Sequence, residues 1–387
     1  MQAFTFSTTR TLIHEPGSVA RLAELCQQQG ADRILLVTDA GIRKAGLLER
    51  ALPGLEAAGV ETAIFDRVEA DPSDSTILAA VAAARQHNAG AVIGFGGGSS
   101  MDVAKLVAIL AHPHCTQALE DLYGVGNAIG PRLPLMQIPT TAGTGSEVTP
   151  IAIVTTGKTT KAGVVSPVLQ PDIALLDAEL TLGLPPQVTA ATGIDAMVHA
   201  IEAYTSAHRK NPYSDMLARE ALRLLAGNIL PAVRLGTDIE ARSQMLLGAL
   251  MAGQAFANAP VAAVHALAYP LGGHFHIPHG LSNSLVLPHV MRFNAPSARV
   301  LYAELAPLIM GDDFTPGSDA EVSERLIRWL ERLIERVGLP RQLRDCDVPE
   351  DFLGQLAADA MQQQRLLVNN PREVTEQAAL AIYQAAW

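Results

Sequence analysis

Short β-branched or apolar runs alternate with helical patterns along the first half of the chain. RILLVTD (33–39) is followed by the helical stretch 41–59, then by ETAIFDRV (61–68), the Ala-rich STILAAVAAARQHN (75–88) and AGAVIGFGGGSS (89–100). Such alternation predicts βαβ units on a parallel sheet. PLMQIPTT (134–141), IAIVTT (151–156) and DIALLD (172–177) add further strands. From the LPP at 184–186 onward the pattern changes: 214–233, 242–257 and 321–338 all carry helical periodicity. The expected fold is an α/β, Rossmann-like unit over 1–185 and an all-α unit over 186–387, with a cleft between them.

Within the helical half, Asp195 and His199 stand four residues apart in the apolar-periodic stretch GIDAMVHAIEAY. An i, i+4 pair shares one helix face, so a carboxylate and an imidazole there can converge on one cation. His265, His274, His276 and His279 follow in VHALAYPLGGHFHIPHGLSN and can complete the shell. A divalent metal site is the leading reading, against that of hydrogen-bonded core histidines; spacing alone does not choose among the four later histidines.

Three polar or glycine-bearing segments of the first half are candidate ligand contacts. AVIGFGGGSSMDVAKLVAIL passes from a strand through Gly96, Gly97, Gly98 and Ser99 into a helix. Bare backbone and free N–H groups at a helix N-terminus can cradle a diphosphate, or the turn can be a tight connection capped by Ser99 or Ser100. Asp39 ends a strand, where a carboxylate can bond an adenosine ribose and repel a 2′-phosphate, favouring NAD over NADP; spacing alone favours a helix N-cap. PTTAGTGSEVTP (139–150) places Thr140, Thr141, Thr144, Ser146 and Glu147 directly after a strand, where α/β sheets bind ligands.

Composition narrows the class. The chain has 387 residues, 49% hydrophobic and 17% charged, which suits a well-packed protein of two domains. A net charge of −11 and 4% aromatic residues offer no footprint for nucleic acid or an anionic membrane, so a small molecule is the expected partner. The three cysteines, Cys26, Cys115 and Cys346, form no CxxC and suit a reducing cytoplasm. The N-terminus lacks the apolar core of a signal peptide, and no run reaches the roughly 18 apolar residues of a membrane helix.

Taken together, GGGSSMDVAK (96–105), PTTAGTGSEVT (139–149), SPVLQPDIALLDAEL (166–180), GIDAMVHAIEAYTS (193–206), PLGGHFHIPHG (270–280) and NNPREVT (369–375) resemble the iron-containing, or group III, alcohol dehydrogenases. The resemblance spans essentially the whole chain. It implies an N-terminal dinucleotide-binding domain and a helical metal-binding domain, as in the dehydroquinate-synthase-like architecture. It implies Asp195, His199, His265 and His279 as metal ligands and leaves out His274 and His276. It places a diphosphate on Gly96, Gly97, Gly98 and Ser99, the adenosine ribose on Asp39, and Asp102 near the ribose or nicotinamide end. Thr140, Thr141 and Thr144 match a second nucleotide loop, and Lys161 matches a lysine approaching the nicotinamide ribose. A homodimer or larger homo-oligomer is implied as well.

Many members of the family carry a histidine four residues beyond the first of these late ligands, where this chain has Tyr269. A tyrosine can relay a proton, but ionises only near pH ~10 unless a cation lowers it; alternatively it packs, and water or the cofactor ribose carries the proton. Four protein ligands would close a zinc site, whereas catalysis needs a further position, so Fe(II) is the first expectation, with zinc or another divalent ion as alternatives. Pro150, Ile151 and Phe256 fall near the family's substrate pocket. Their apolar character suggests a short aliphatic alcohol or aldehyde exchanging hydride with NAD(H). The alternatives are a hydroxy-acid or maleylacetate-type reductase, a dehydroquinate-synthase-type lyase, or a metal-stabilised binding protein.

Overall fold

The structure, a computed structural model, describes residues 3–156 and 160–387, in two compact units. One comprises Thr8–Thr141 and Gly145–Gly183; the other comprises Leu184–Trp387 together with residues 3–7 and Ala142–Thr144.

In the first unit, strands β1 (Thr11–His14), β2 (Arg33–Val37), β3 (Glu61–Phe65) and β4 (Ala91–Gly96) come before β5 (Gly124–Val125), β6 (Leu135–Pro139), β7 (Ile151–Thr156), β8 (Thr160–Val165) and β9 (Ile173–Leu176). Six of them form a parallel sheet in the order β1-β9-β6-β4-β2-β3. The remaining three form a small sheet, β5-β8-β7, in which β7 and β8 run antiparallel. Helices α1 (Leu22–Gln28), α2 (Ala40–Lys44), α3 (Leu52–Ala57), α4 (Asp74–His87) and α5 (Gly98–Leu110) connect the strands.

The strands read as continuous apolar runs because both sheet faces are covered. In β2, Leu35 and Val37 join a core with Ile77 and Val81 of α4 and Val103 and Val107 of α5, while Ile34 and Leu36 join Leu22, Leu25 and Leu55 on the other face. Every residue of β4 is buried.

Some elements depart from the sequence pattern. β1, β5 and β8 carry too little periodicity to be foreseen, and β1 acquires its strand form by pairing with β9. The stretch 41–59 is not one helix. Gly46 takes a left-handed φ of 69° and ends the first segment, and α3 starts afresh at Leu52 with a proline in its first turn.

The second unit contains α6 (Pro186–Thr205), α7 (Pro212–Arg234), α8 (Ile239–Asn258), α9 (Ala263–Phe275), α10 (His279–Met310), α11 (Asp319–Arg336), α12 (Leu353–Ala360), α13 (Gln364–Leu367) and α14 (Glu376–Ala386). Side-chain caps from Asn211, Asp238, Ser318 and Thr375 start α7, α8, α11 and α14. Helix α6 is the axis: Gly193 lets α7 and α8 approach, and Gly280 lets α10 approach, because a Cβ there would meet Met245 Cε at 2.7 Å and the Ala191 carbonyl oxygen at 2.3 Å. Among the described residues no single helix is long and apolar enough to cross a membrane.

Candidate metal centre and nucleotide loops

Asp195, His199 and Glu202 occupy positions i, i+4 and i+7 of α6 and share one buried face, with exposures of 2%, 4% and 4%. His265 stands in the first turn of α9 and His279 opens α10 directly after Pro278. One donor atom from each of Asp195, His199, His265 and His279 lies within 4.8 Å of the others. Asp195 Oδ1 is 3.7 Å from His279 Nε2 and 4.0 Å from His265 Nε2. The imidazoles of His199 and His265 stack at 4.7 Å, and Phe256 of α8 lies on the other face of His199 at 4.4 Å.

The protonation states suit cation binding. Burial pushes His199 down to about 3, so its imidazole is neutral and has a lone pair to offer. Burial alone would raise the Asp195 carboxyl, but the three imidazoles and the Asn283 amide outweigh it and hold it below the usual carboxylate range. One carboxylate and three imidazoles form a borderline donor set that fits Fe(II) or a neighbouring divalent ion.

Two residues around this cluster were not singled out from the sequence. Glu202 accepts the Nδ1–H of His265 at 2.6 Å and the backbone N–H of Val264 at 2.7 Å. Asn283, one turn beyond His279, donates from Nδ2 to Asp195 Oδ1 at 2.6 Å, and the same atom is 3.3 Å from Nε2 of both His265 and His279. The available signals were the i+7 position of Glu202 from Asp195 and the i+4 position of Asn283 from His279. The two remaining histidines are used elsewhere: His274 bonds Asp359 at 2.6 Å, and His276 adopts the left-handed C-cap of α9 with φ 54°. Tyr269, half-buried one turn after His265, has its ring 6.0 Å from that of His279.

In the α/β unit, β4 ends at Gly96 with φ 155°, where a Cβ would lie 2.8 Å from Ser100 Oγ and 3.4 Å from Asp39 Oδ2. Gly97 is the N-cap of α5 and no side chain caps the helix. This corrects the alternative in which Ser99 or Ser100 is the cap: both lie inside the first turn, and among the described residues no side chain caps that helix start, as an anion site requires. Asp39 serves its helix through Oδ1, which accepts the Ile42 N–H at 3.0 Å, while Oδ2 faces Gly96. The N-cap and ribose readings are thus compatible, one oxygen for each.

Thr140 donates its N–H to the Gly96 carbonyl, and its buried hydroxyl has no partner among the described residues; Thr141 Oγ1 would be 3.7 Å from a Cβ on Gly97. These bare backbones and the orphaned hydroxyl beside the open helix end fit a dinucleotide. Thr144 belongs with the helical unit, where Gly143 packs so closely that a Cβ would meet Thr192 Cβ at 2.7 Å.

Asp102 is tied internally, accepting from the Ser146 hydroxyl at 2.6 Å and the Ile153 N–H at 2.9 Å. Pro150 and Ile151 lead into β7, where the Ile151 carbonyl accepts from the Lys105 ammonium at 2.6 Å and that of Pro150 from the Ser166 N–H at 3.0 Å. Lys161 on β8 is ion-paired with Asp71.

Residues 9–178 match the family described as iron-containing alcohol dehydrogenase, and residues 189–387 match the C-terminal part of the Fe-containing alcohol dehydrogenase family. The chain is 42% identical over 372 residues to long-chain-alcohol dehydrogenase 1 of Geobacillus thermodenitrificans, covering 96% of this chain and 93% of that protein. It superposes on a solved 1,3-propanediol oxidoreductase with a TM-score of 0.95 at 36% identity, covering 100% of both chains. A sulfoacetaldehyde reductase from Bifidobacterium kashiwanohense, solved in complex with NAD+, gives a TM-score of 0.88 at 28% identity, covering 100% of this chain and 99% of that one. The chain therefore belongs to the iron-containing alcohol dehydrogenase family.

Proposed function

We propose that this protein interconverts a small aliphatic alcohol and its aldehyde or ketone, using NAD(H) and a divalent iron ion. The observation that carries the reading is the convergence of donor atoms from Asp195, His199, His265 and His279 within 4.8 Å. Bound there, Fe(II) supplies Lewis-acid polarisation of an alcohol or carbonyl oxygen, and NAD(H) is the hydride acceptor or donor.

The chain's own residues bind and orient. Gly96, Gly97, Gly98 and Ser99 are assigned to the diphosphate, Asp39 to the adenosine ribose, and Thr140, Thr141, Thr144 and Lys161 to the remainder of the nucleotide. Asp102 shapes this region by holding Ser146 and the β7 backbone to α5. Phe256, stacked on His199, contributes an apolar wall beside that ligand, and Pro150 and Ile151 are assigned to the substrate pocket on the family resemblance. No Arg or Lys occurs in 193–206 or 264–280 to clamp an anionic group, which favours a neutral substrate over a sulfonate or dicarboxylate. Tyr269 is assigned the proton relay; Tyr269→Phe then leaves metal content unchanged and alters the pH–rate profile, and an unaltered profile removes it from the mechanism. The free thiols suit the cytoplasm, and self-association as a homodimer or larger assembly is proposed on the family resemblance.

The direct test mixes the Fe(II)-loaded protein, kept anaerobic, with NADH and a panel of short aldehydes while following absorbance of the reduced cofactor. Aldehyde-dependent loss of NADH supports the proposal; no net loss with any aldehyde favours a lyase that returns the hydride within one turnover. His265→Ala is expected to lose the metal while keeping NAD+ affinity, and retained metal stoichiometry would contradict the ligand assignment.

A further inference from the structure

Helix α9 begins without a cap of its own: its N-cap is Ala262, which has no side-chain acceptor. The acceptor comes from another helix. Glu202 of α6, 4% exposed, takes the Val264 N–H on Oε1 at 2.7 Å and the His265 Nδ1–H on Oε2 at 2.6 Å. A carboxylate only accepts, so it requires the proton of a neutral His265 on Nδ1 and leaves the lone pair on Nε2, which faces Asp195 Oδ1 at 4.0 Å and the Asn283 amide at 3.3 Å.

We propose that Glu202 is a positioning residue for the metal centre, which selects the ligating tautomer of His265 and fixes the first turn of α9 with the same carboxylate. The inference rests on the metal reading above. Metal affinity is therefore coupled to the docking of α9 on α6: the ring orientation, the tautomer and the helix start depend on one buried group. Carboxylates behind ligating histidines ordinarily contribute about 10- to 100-fold in metal affinity.

Glu202→Gln separates this role from simple capping. A glutamine of the same size still accepts the Val264 N–H through its amide oxygen. Its NH2 then faces His265 Nδ1, which must become the acceptor, and a neutral imidazole so turned carries its proton on Nε2, where the ligand lone pair is needed. The full-length protein and the variant are stripped of metal and titrated with Co(II) against a chelating competitor, recording the cobalt absorption bands, circular dichroism and NAD+ affinity. The expected result is about a 10- to 100-fold loss of Co(II) affinity with altered cobalt bands, unchanged helicity and unchanged NAD+ affinity; Glu202→Asp, which keeps the carboxylate, recovers part of the loss.

Wild-type Co(II) affinity and bands in Glu202→Gln overturn the proposal and reduce Glu202 to a helix cap. Should that variant not fold, nitrogen NMR of the metal-free wild-type protein decides: His265 protonated on Nδ1 supports the proposal, and on Nε2 overturns it. Failure of the wild-type protein to bind Co(II) sinks the functional reading, whereas binding that is indifferent to Glu202→Gln sinks this inference alone.

Discussion

The fully buried Lys105 ammonium donates to the Ser146 hydroxyl at 2.7 Å and, through its other protons, to Thr149 Oγ1 at 3.1 Å and the Ile151 carbonyl at 2.6 Å. One cation on α5 thus holds the whole segment leading into β7. Burial pulls Lys105 below its usual range, opposed by Asp102 and Glu147, so the site is costly to desolvate and depends on those acceptors. Lys105→Met removes the donor from the Ser146 and Thr149 hydroxyls and the Ile151 carbonyl, and takes the counter-charge from Asp102 and Glu147. We expect a loss of about 3–5 kcal/mol in unfolding free energy, read as a lower urea midpoint at unchanged slope. A midpoint within error of wild type would show the network to be dispensable.

Glu147, 2% exposed in the same segment, is pushed up to about 7 by burial, against its own backbone hydrogen bond and the charge of Lys105. Unfolded, it ionises near 4.5. Between those two values the folded state binds more protons, so this group makes stability fall as pH rises from about 4.5 to 7 and holds a constant penalty above. Glu147→Gln should be increasingly stabilised relative to wild type across that window in urea titrations at stepped pH. A difference that does not vary with pH would contradict the raised value.

Gly280 follows His279 where α10 meets α6, and a Cβ there would lie 2.3 Å from the Ala191 carbonyl oxygen and 3.3 Å from Asp195 Cβ. Gly280→Ala must push the two helices apart and draw His279 away from Asp195. Metal affinity should fall by tenfold or more, roughly what about 1.4 kcal/mol of misplacement costs, while circular dichroism stays helical. Wild-type metal affinity in a folded variant, measured against a chelating competitor, would mean that the helices relax without moving the ligand.

Asp39→Asn keeps the cap on the Ile42 N–H and removes the charge beside Gly96. The variant should bind NADPH more tightly, relative to NADH, than the wild-type protein, with little change in thermal midpoint. Fluorescence titration of both reduced cofactors measures the ratio, and an unchanged ratio would move the ribose contact elsewhere.

Much of this was legible in the chain itself, because local periodicity states which residues share a face. The spacing of Asp195 and His199 in an apolar helix is enough to place a carboxylate and an imidazole side by side, and the run from AVIGF into GGGSS is enough to place bare backbone at a helix start. Which faces meet is a separate matter, decided by packing between segments far apart in sequence. His274 looks as able a ligand as His279 until Asp359, 85 residues away, takes its Nε2. Glu202 looks like one more charge on α6 until α9 brings an uncapped end and the His265 Nδ1 against it. Thr144, carried over by resemblance with the nucleotide loop, folds with the helical unit, where Gly143 packs closely against Thr192. β1 is a strand only because β9 lies beside it to pair with. Short-range spacing sets the chemistry each element can offer. The hydrogen bonds and contacts that commit a side chain to one role form only once distant elements have been brought together.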